Sequence, residues 1–407
     1  MCCEYNSTMT KKIAIITERA EVELGGAERS IFELAEALRE GGLKVDILAA
    51  KGKTEAESVH ILCQDSPGKR VSCFAFANAL KKYLSENHYD LIHSVLPFEF
   101  ADVYQPRGGT YAESIFQNAA SYQNKFLESY KRMTALANFR RTMLLFAERK
   151  LCKAPNGPVI IAISQYVAEQ FKRHYGVSEG RIAVVPNGVK IDKKVDDVEA
   201  GKLRSQIFQK LGLSEADRPV LFLFAANNFR LKGLAVLIKA LSVYNEKAFR
   251  KSGQRACLIV AGGDKTRKYR KLAEGLDSST ADKQIVFLGS MENIQNALSI
   301  IDVAVLPTFY DPCSRYILEA LAAGKPVITT RFNGAGEQFV DNRHGKVIDA
   351  PGDIPALVEA IGYFTDTNNN RKASEAIVRD NLKEKVSIKR ASSQLLSVYE
   401  SILQKKG

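Results

Sequence analysis

The sequence predicts an α/β protein built from two doubly wound, Rossmann-like parallel-sheet domains, and three observations lead there. At 407 residues the chain exceeds one ordinary core and suits two domains of roughly 200 residues each. Short β-branched apolar runs alternate with helical patterns, the signature of strands joined by crossover helices. The alternation then stops at a polar stretch, 190–216, and begins again. Strands are expected at 12–17, 44–49, 90–95, 158–163 and 181–185 in the first half. Counterparts follow at 219–226, 256–261, 284–288, 303–307 and 326–330. A helix over 27–40 ends at Gly41-Gly42, the usual stop. Residues 111–152 carry no strand signal and read as long, basic, amphipathic helix. The polar stretch reads as a linker running into a helix at 202–211. The domains are accordingly placed at 11–190 and 215–385, facing each other across a cleft. The last helix, 387–404, is expected on the first domain.

Composition narrows the function classes. Hydrophobic residues make up 45% and charged residues 26%, as in globular proteins. No run approaches the roughly 20 apolar residues needed to span a bilayer, and the start lacks a signal-like apolar core, so a cytoplasmic protein is expected. Seven scattered cysteines show no CxxC, and no two of the five histidines sit at ligand spacing. Reduced thiols and no metal site are therefore expected. A net charge of +12 calls for an acidic partner. Eight cations (Lys125, Lys131, Arg132, Arg140, Arg141, Arg149, Lys150, Lys153) stand against Glu128 and Glu148 in one segment. Met133, Leu136, Phe139, Met143 and Phe146 recur among them at helical spacing. That mixture suits an anionic membrane surface contacted through 111–153 better than nucleic acid, for which no module is recognisable. A solvated basic face is the plainer reading.

Loops after parallel strands gather at one sheet edge, where ligands bind. Three such loops carry chemistry. Leu24-Gly25-Gly26-Ala27-Glu28-Arg29 opens the first helix; its paired glycines allow backbone to approach a phosphate, though a plain glycine turn looks the same. Asn227-Asn228-Phe229-Arg230-Leu231-Lys232-Gly233 follows the first strand of the second half and offers two cations for a diphosphate. The third loop runs from Thr308 through Asp311, Cys313, Ser314 and Arg315 to Glu319. Asp311 precedes a helix expected to begin near Ser314, and Glu319 lies inside it, so the two acids would address different parts of one ligand. Amides at Cys313–Arg315 would face an anion between them.

On these motifs the chain resembles the GT-B-fold retaining glycosyltransferases of family 4 over nearly its whole length. Asp311-x7-Glu319 is similar to the family's acid pair, with Asp where Glu is usual. The resemblance implies that Asp311 binds donor-sugar hydroxyls and Glu319 the nucleotide ribose. It also implies that Arg230 and Lys232 hold the diphosphate and that Gly25-Gly26 lies beside it. Gly334-Ala335-Gly336-Glu337 and His344-Gly345 are similar to its second-domain pattern. Asp102-Val103-Tyr104, Tyr111-Ala112-Glu113 and the basic helices resemble the lipopolysaccharide core glucosyltransferase I group. That likeness implies UDP-glucose as donor, a lipid-linked or phosphorylated glycan as acceptor and a place on the inner face of the cytoplasmic membrane.

Two departures stand out. Arg230 is two residues before Lys232, where relatives place the cations side by side or several residues apart. At the position where relatives keep a polar first-domain group near the reacting carbon stands Gly108 of Gln105-Pro106-Arg107-Gly108-Gly109-Thr110. Arg107 is expected to touch donor or acceptor there; His93 and Asp102 are the alternatives, and a core histidine is an equal reading of His93. The expected activity is metal-independent, cofactor-free hexosyl transfer with retention from a UDP-sugar. A nucleotide-sugar epimerase on the same fold, or a transferase using GDP- or ADP-sugars, are the alternatives.

Overall fold

The computed structural model describes residues 11–21, 26–64, 71–135, 137–247, 254–263, 266–276 and 284–406. The chain divides into two units, one comprising residues 1–112, 136–188 and 388–407, the other 113–135 and 189–387.

The first unit is a seven-stranded sheet of β1 (Lys12–Ala20), β2 (Lys44–Gly52), β3 (Val59–Ile61), β4 (Leu91–Ser94), β5 (Val103–Tyr104), β6 (Val159–Ala162) and β7 (Ile182–Val184). Their order is β3-β2-β1-β4-β5-β6-β7, and every pairing is parallel. Sheets covered on both faces have nearly continuous apolar strands. Accordingly Ile13, Ile15 and Ile47 face one buried cluster, and Ala14, Ile16 and Leu48 face another. The Gly26–Glu40 helix and the C-terminal Ile388–Lys406 helix close the first of these, the latter through Leu395 and Tyr399.

The second unit holds β8 (Val220–Ala225), β9 (Ala256–Ala261), β10 (Ile285–Gly289), β11 (Val303–Leu306), β12 (Val327–Thr330) and β13 (Gly345–Ile348), in the parallel order β10-β9-β8-β11-β12-β13. All six residues of β9 are buried, and of β8 all but Ala225. Each sheet therefore reverses direction of growth once, at β1/β4 and at β8/β11, the positions where doubly wound sheets open a crevice at the carboxyl ends of their strands.

Three features depart from the sequence expectation. The stretch 111–152 is not one long helix but three: Tyr111–Ala120, Lys125–Ala135 and Phe139–Lys153. Gln123 takes a left-handed φ of 57° at the first break, and Asn138 caps the third helix by accepting from the Arg141 amide. Residues 113–135 group with the second unit rather than with 11–190, and Arg230 of that unit bonds their turn. Strands β3, β5 and β13 carried too little apolar pattern to be expected: β5 has two residues, set between Asp102 and Gln105.

No helix among the described residues is long and apolar enough to cross a membrane. The helix Lys125–Ala135 buries no residue, and Phe126, Leu127, Tyr130 and Met133 stand exposed along it. On Phe139–Lys153, Leu144, Glu148, Leu151 and Cys152 turn inward while Phe139 and Phe146 remain exposed. Leu136, expected in the same stripe, lies outside the described residues.

Candidate functional site

The loops that follow β8, β11 and β12 converge at the carboxyl edge of the second sheet and are stitched together by their own backbones. The Phe309 amide donates to the Leu231 carbonyl at 2.9 Å, and the Asp311 amide to Phe332 at the same distance. Thr308 Oγ1 donates to Leu231 O, and Thr330 Oγ1 to Thr308 O. Gly233 is required at the crossing: its φ is +82°, and a Cβ there would fall on the Pro307 carbonyl oxygen.

On this frame Lys232 and Asp311 meet. Lys232 Nζ lies 2.7 Å from Asp311 Oδ2 and donates to the Tyr310 carbonyl at 2.8 Å. Both side chains are largely buried, at 19% and 15% exposed. The cation expected for a diphosphate and the carboxylate expected for a sugar thus form a single ion pair. Glu319 sits one helix turn into Arg315–Ala322, buried, with Arg315 at 3.6 Å and Lys193 at 3.8 Å. Cys313 and Ser314 are buried ahead of it. The Ser314 amide does not face an open anion site as expected, because it donates to Asn333 Oδ1 at 3.1 Å.

Arg230 departs most from expectation. Its Nη1 donates to the Asn118 carbonyl at 2.8 Å and to Ser121 Oγ, its Nη2 to Asn118 Oδ1 at 3.1 Å. The guanidinium also covers the Tyr122 ring, 3.9 Å from its centroid. Arg230 and Lys232, expected to clamp one diphosphate, therefore diverge: one holds the 118–122 turn, the other Asp311.

In the first unit, Gly26 begins the Gly26–Glu40 helix and is exposed, whereas Gly25 lies outside the described residues. Arg107, just beyond β5, donates to Asn187 Oδ1 at 2.7 Å and to the Ser30 carbonyl at 3.5 Å. Arg107 thus stays at the carboxyl edge. Asp102 does not, since it precedes β5, accepts from the Ile92 amide at 2.8 Å and pairs with Lys406 at 2.6 Å. His93 is fully buried, with Nδ1 2.5 Å from the Tyr399 hydroxyl. Burial, helped by the Arg107 charge, holds its pKa down to about 3, so the ring is neutral and belongs to the core rather than to a site.

A second buried constellation escaped the sequence reading. Glu148 accepts from Tyr104 Oη at 2.8 Å, Tyr175 Oη at 2.5 Å and the Tyr111 amide at 2.8 Å. Burial nonetheless pushes its carboxyl up to about 7 against those three donors.

The family model "Glycosyltransferase Family 4" matches residues 24–193, and "Glycosyl transferases group 1" matches residues 204–380. The chain is a glycosyltransferase of the GT-B fold. It is 22% identical over 333 residues to the lipopolysaccharide glucosyltransferase WaaG of Escherichia coli K12, covering 80% of this chain and 82% of that one. The crystal structure of WaaG superposes with a TM-score of 0.70 at 20% identity, over 90% of this chain and 94% of that one. Anabaena Alr3699/HepE, solved with UDP and glucose, gives 0.68 at 18% identity, over 96% and 100%.

Within this glycosyltransferase the sequence reading missed Asn333 and Lys193. Asn333 binds the Ser314 and Ala335 amides and donates to Thr329 Oγ1, so one side chain fastens the β12 loop to the start of the Glu319 helix. Its signal was present as Asn-Gly three residues past the end of a buried strand. Lys193 carried none, standing in a charged linker beside Lys194. His344, part of the second-domain pattern, accepts from the Val340 amide and bonds Asp380 at 2.7 Å; its role is to fasten the β13 turn.

Proposed function

We propose that this glycosyltransferase moves a hexosyl unit, with retention, from a UDP-sugar to a hydroxyl of a lipid-linked or phosphorylated glycan. UDP-glucose is the favoured donor. The observation that carries the reading is the Lys232–Asp311 pair at the β8/β11 switch point, with Glu319 beyond it on the next helix. The likenesses to WaaG and to a protein solved with UDP and glucose support the donor class.

The chemical demand is leaving-group stabilisation, since the departing diphosphate gains negative charge as the glycosidic bond breaks. A fixed cation in a partly dry site supplies that electrostatic term. Lys232 does so while Asp311 holds it in place and turns its other oxygen to the sugar. Glu319 takes the ribose in exchange for Lys193 and Arg315. Retention needs no protein nucleophile: the acceptor oxygen attacks the face the diphosphate leaves, and a leaving phosphate oxygen receives its proton. Arg107, with Gly108 beside it, is the residue of the first unit assigned to contact donor or acceptor. Neither a metal nor a cofactor is required.

The test is thermal stabilisation across UDP-, GDP- and ADP-sugars, in which a donor at 100 times its Kd adds about 2.7 kcal/mol. Stabilisation by UDP-glucose and by bare UDP supports the assignment. Equal shifts with all three nucleotides, or none with UDP-glucose, would remove it.

A further inference from the structure

We infer that Arg230 is a positioning residue that pins segment 113–135 to the loop after β8, rather than a ligand of the donor diphosphate. Four contacts carry this. Nη1 reaches a main-chain carbonyl near the end of the Tyr111–Ala120 helix and the Ser121 hydroxyl, Nη2 reaches the Asn118 side chain, and the guanidinium face lies on Tyr122. The last carbonyls of a helix lack intrahelical amide partners and carry the negative end of its dipole, so a cation is favoured there, and the Asn118 carbonyl also accepts from Ser121 Oγ at 2.6 Å. Only a planar fork can serve the carbonyl, the amide and the hydroxyl together while stacking on a ring.

The arrangement matters because of what the pinned segment is. Among the described residues of Lys125–Ala135 none is buried, so that helix has no core contact of its own to fix it. Its place depends on the 118–124 turn that leads into it and on Arg132, whose guanidinium lies 5.0 Å from the centroid of the Phe116 ring on the preceding helix. Lys131 Nζ also lies over the Tyr122 ring, at 5.5 Å, which ties the same aromatic to the exposed helix. Removing the guanidinium therefore releases the segment, while Lys232 keeps its own anchors on Asp311 and Tyr310.

The inference deepens the proposed donor site by taking Arg230 out of it, and its test separates the two. Limited chymotrypsin digestion of the full chain reads cleavage after Phe126 and Tyr130, and calorimetry reads UDP affinity. In R230A, cleavage is expected to accelerate about tenfold while UDP affinity stays within about threefold of wild type. R230K should behave as R230A does, because charge without the fork cannot hold the turn. Y122A should accelerate cleavage too, which keeps the test open if R230A does not fold. In donor hydrolysis the KM for UDP-glucose stays within about threefold in both Arg230 variants. Unchanged cleavage, a tenfold loss of UDP affinity in R230A, or rescue by R230K would each overturn the inference. UDP failing to bind wild type would instead count against the donor assignment, leaving cleavage to decide the pin.

Discussion

Replacing Lys232 by alanine should damage both the fold and the chemistry of the second unit, and the structure sets the size of each effect. A loop lysine would ordinarily be expected to leave stability untouched. Lys232, however, is 19% exposed, bonds Asp311 at 2.7 Å and donates to a main-chain carbonyl. Its removal leaves a largely buried carboxylate without that donor, while the Tyr310 carbonyl keeps Thr308 Oγ1 at 3.0 Å, and the loss costs about 1–3 kcal/mol. In a unit of this size each kcal/mol lowers Tm by about 2–4 °C. The same change removes the fixed cation from the leaving group, for which about 100-fold in kcat is expected. A double-mutant cycle with Asp311→Asn, read by thermal unfolding and by UDP-glucose turnover, separates pairing from independent effects. Neutralising Asp311 should recover part of the stability lost in Lys232→Ala, a coupling of about 0.5–3 kcal/mol, without recovering turnover. Additive losses within about 0.5 kcal/mol would refute the pairing. Activity of Lys232→Ala within about threefold of wild type would remove it from the leaving-group site.

Further outcomes follow from other parts of the structure. Glu319→Ala should weaken bare UDP, but Asp311→Ala should now weaken it as well, because Asp311 holds Lys232; calorimetry showing UDP affinity intact in Asp311→Ala would separate the two roles again. Glu148 gives a pH dependence: its folded pKa of about 7 lies above the ordinary 4.5, so the folded state binds the extra proton and stability falls as pH rises between them. A shift of that size is worth about 3 kcal/mol, and Glu148→Gln should flatten denaturant midpoints across that window; an unchanged slope would show that the carboxyl stays ionised throughout. The exposed apolar and basic residues of Lys125–Ala135 and Phe139–Lys153 should carry the protein up with anionic liposomes at low salt, each cation adding about 1 kcal/mol; a protein left at the bottom of the gradient would refute membrane docking.

What the sequence disclosed follows from how each feature is encoded. Strands buried on both faces are written as apolar runs, so β8, β9 and β11 could be read within a residue or two of their ends. The short strands β5 and β3 contain too little apolar pattern, unlike the equally short β7 with its Ile-Ala-Val run, and they form by pairing with longer neighbours. Loop residues were legible by position, since strand ends mark where ligands bind, but their partners were not. Arg230 and Lys232 stand two apart in one turn and look like a pair. Which acceptor each finds depends on the 118–122 turn and on Tyr310, 112 and 78 residues away in sequence. Glu148 shows the same limit from the other side: alone it is one acid in a basic helix. Its spacing to Leu144, Leu151 and Cys152 places it on the inward face, and a carboxylate at an inward position must find donors or surrender its charge. Helical spacing alone therefore makes the demand for donors legible. Only the three donors that answer it, from Tyr104, Tyr111 and Tyr175, required the fold.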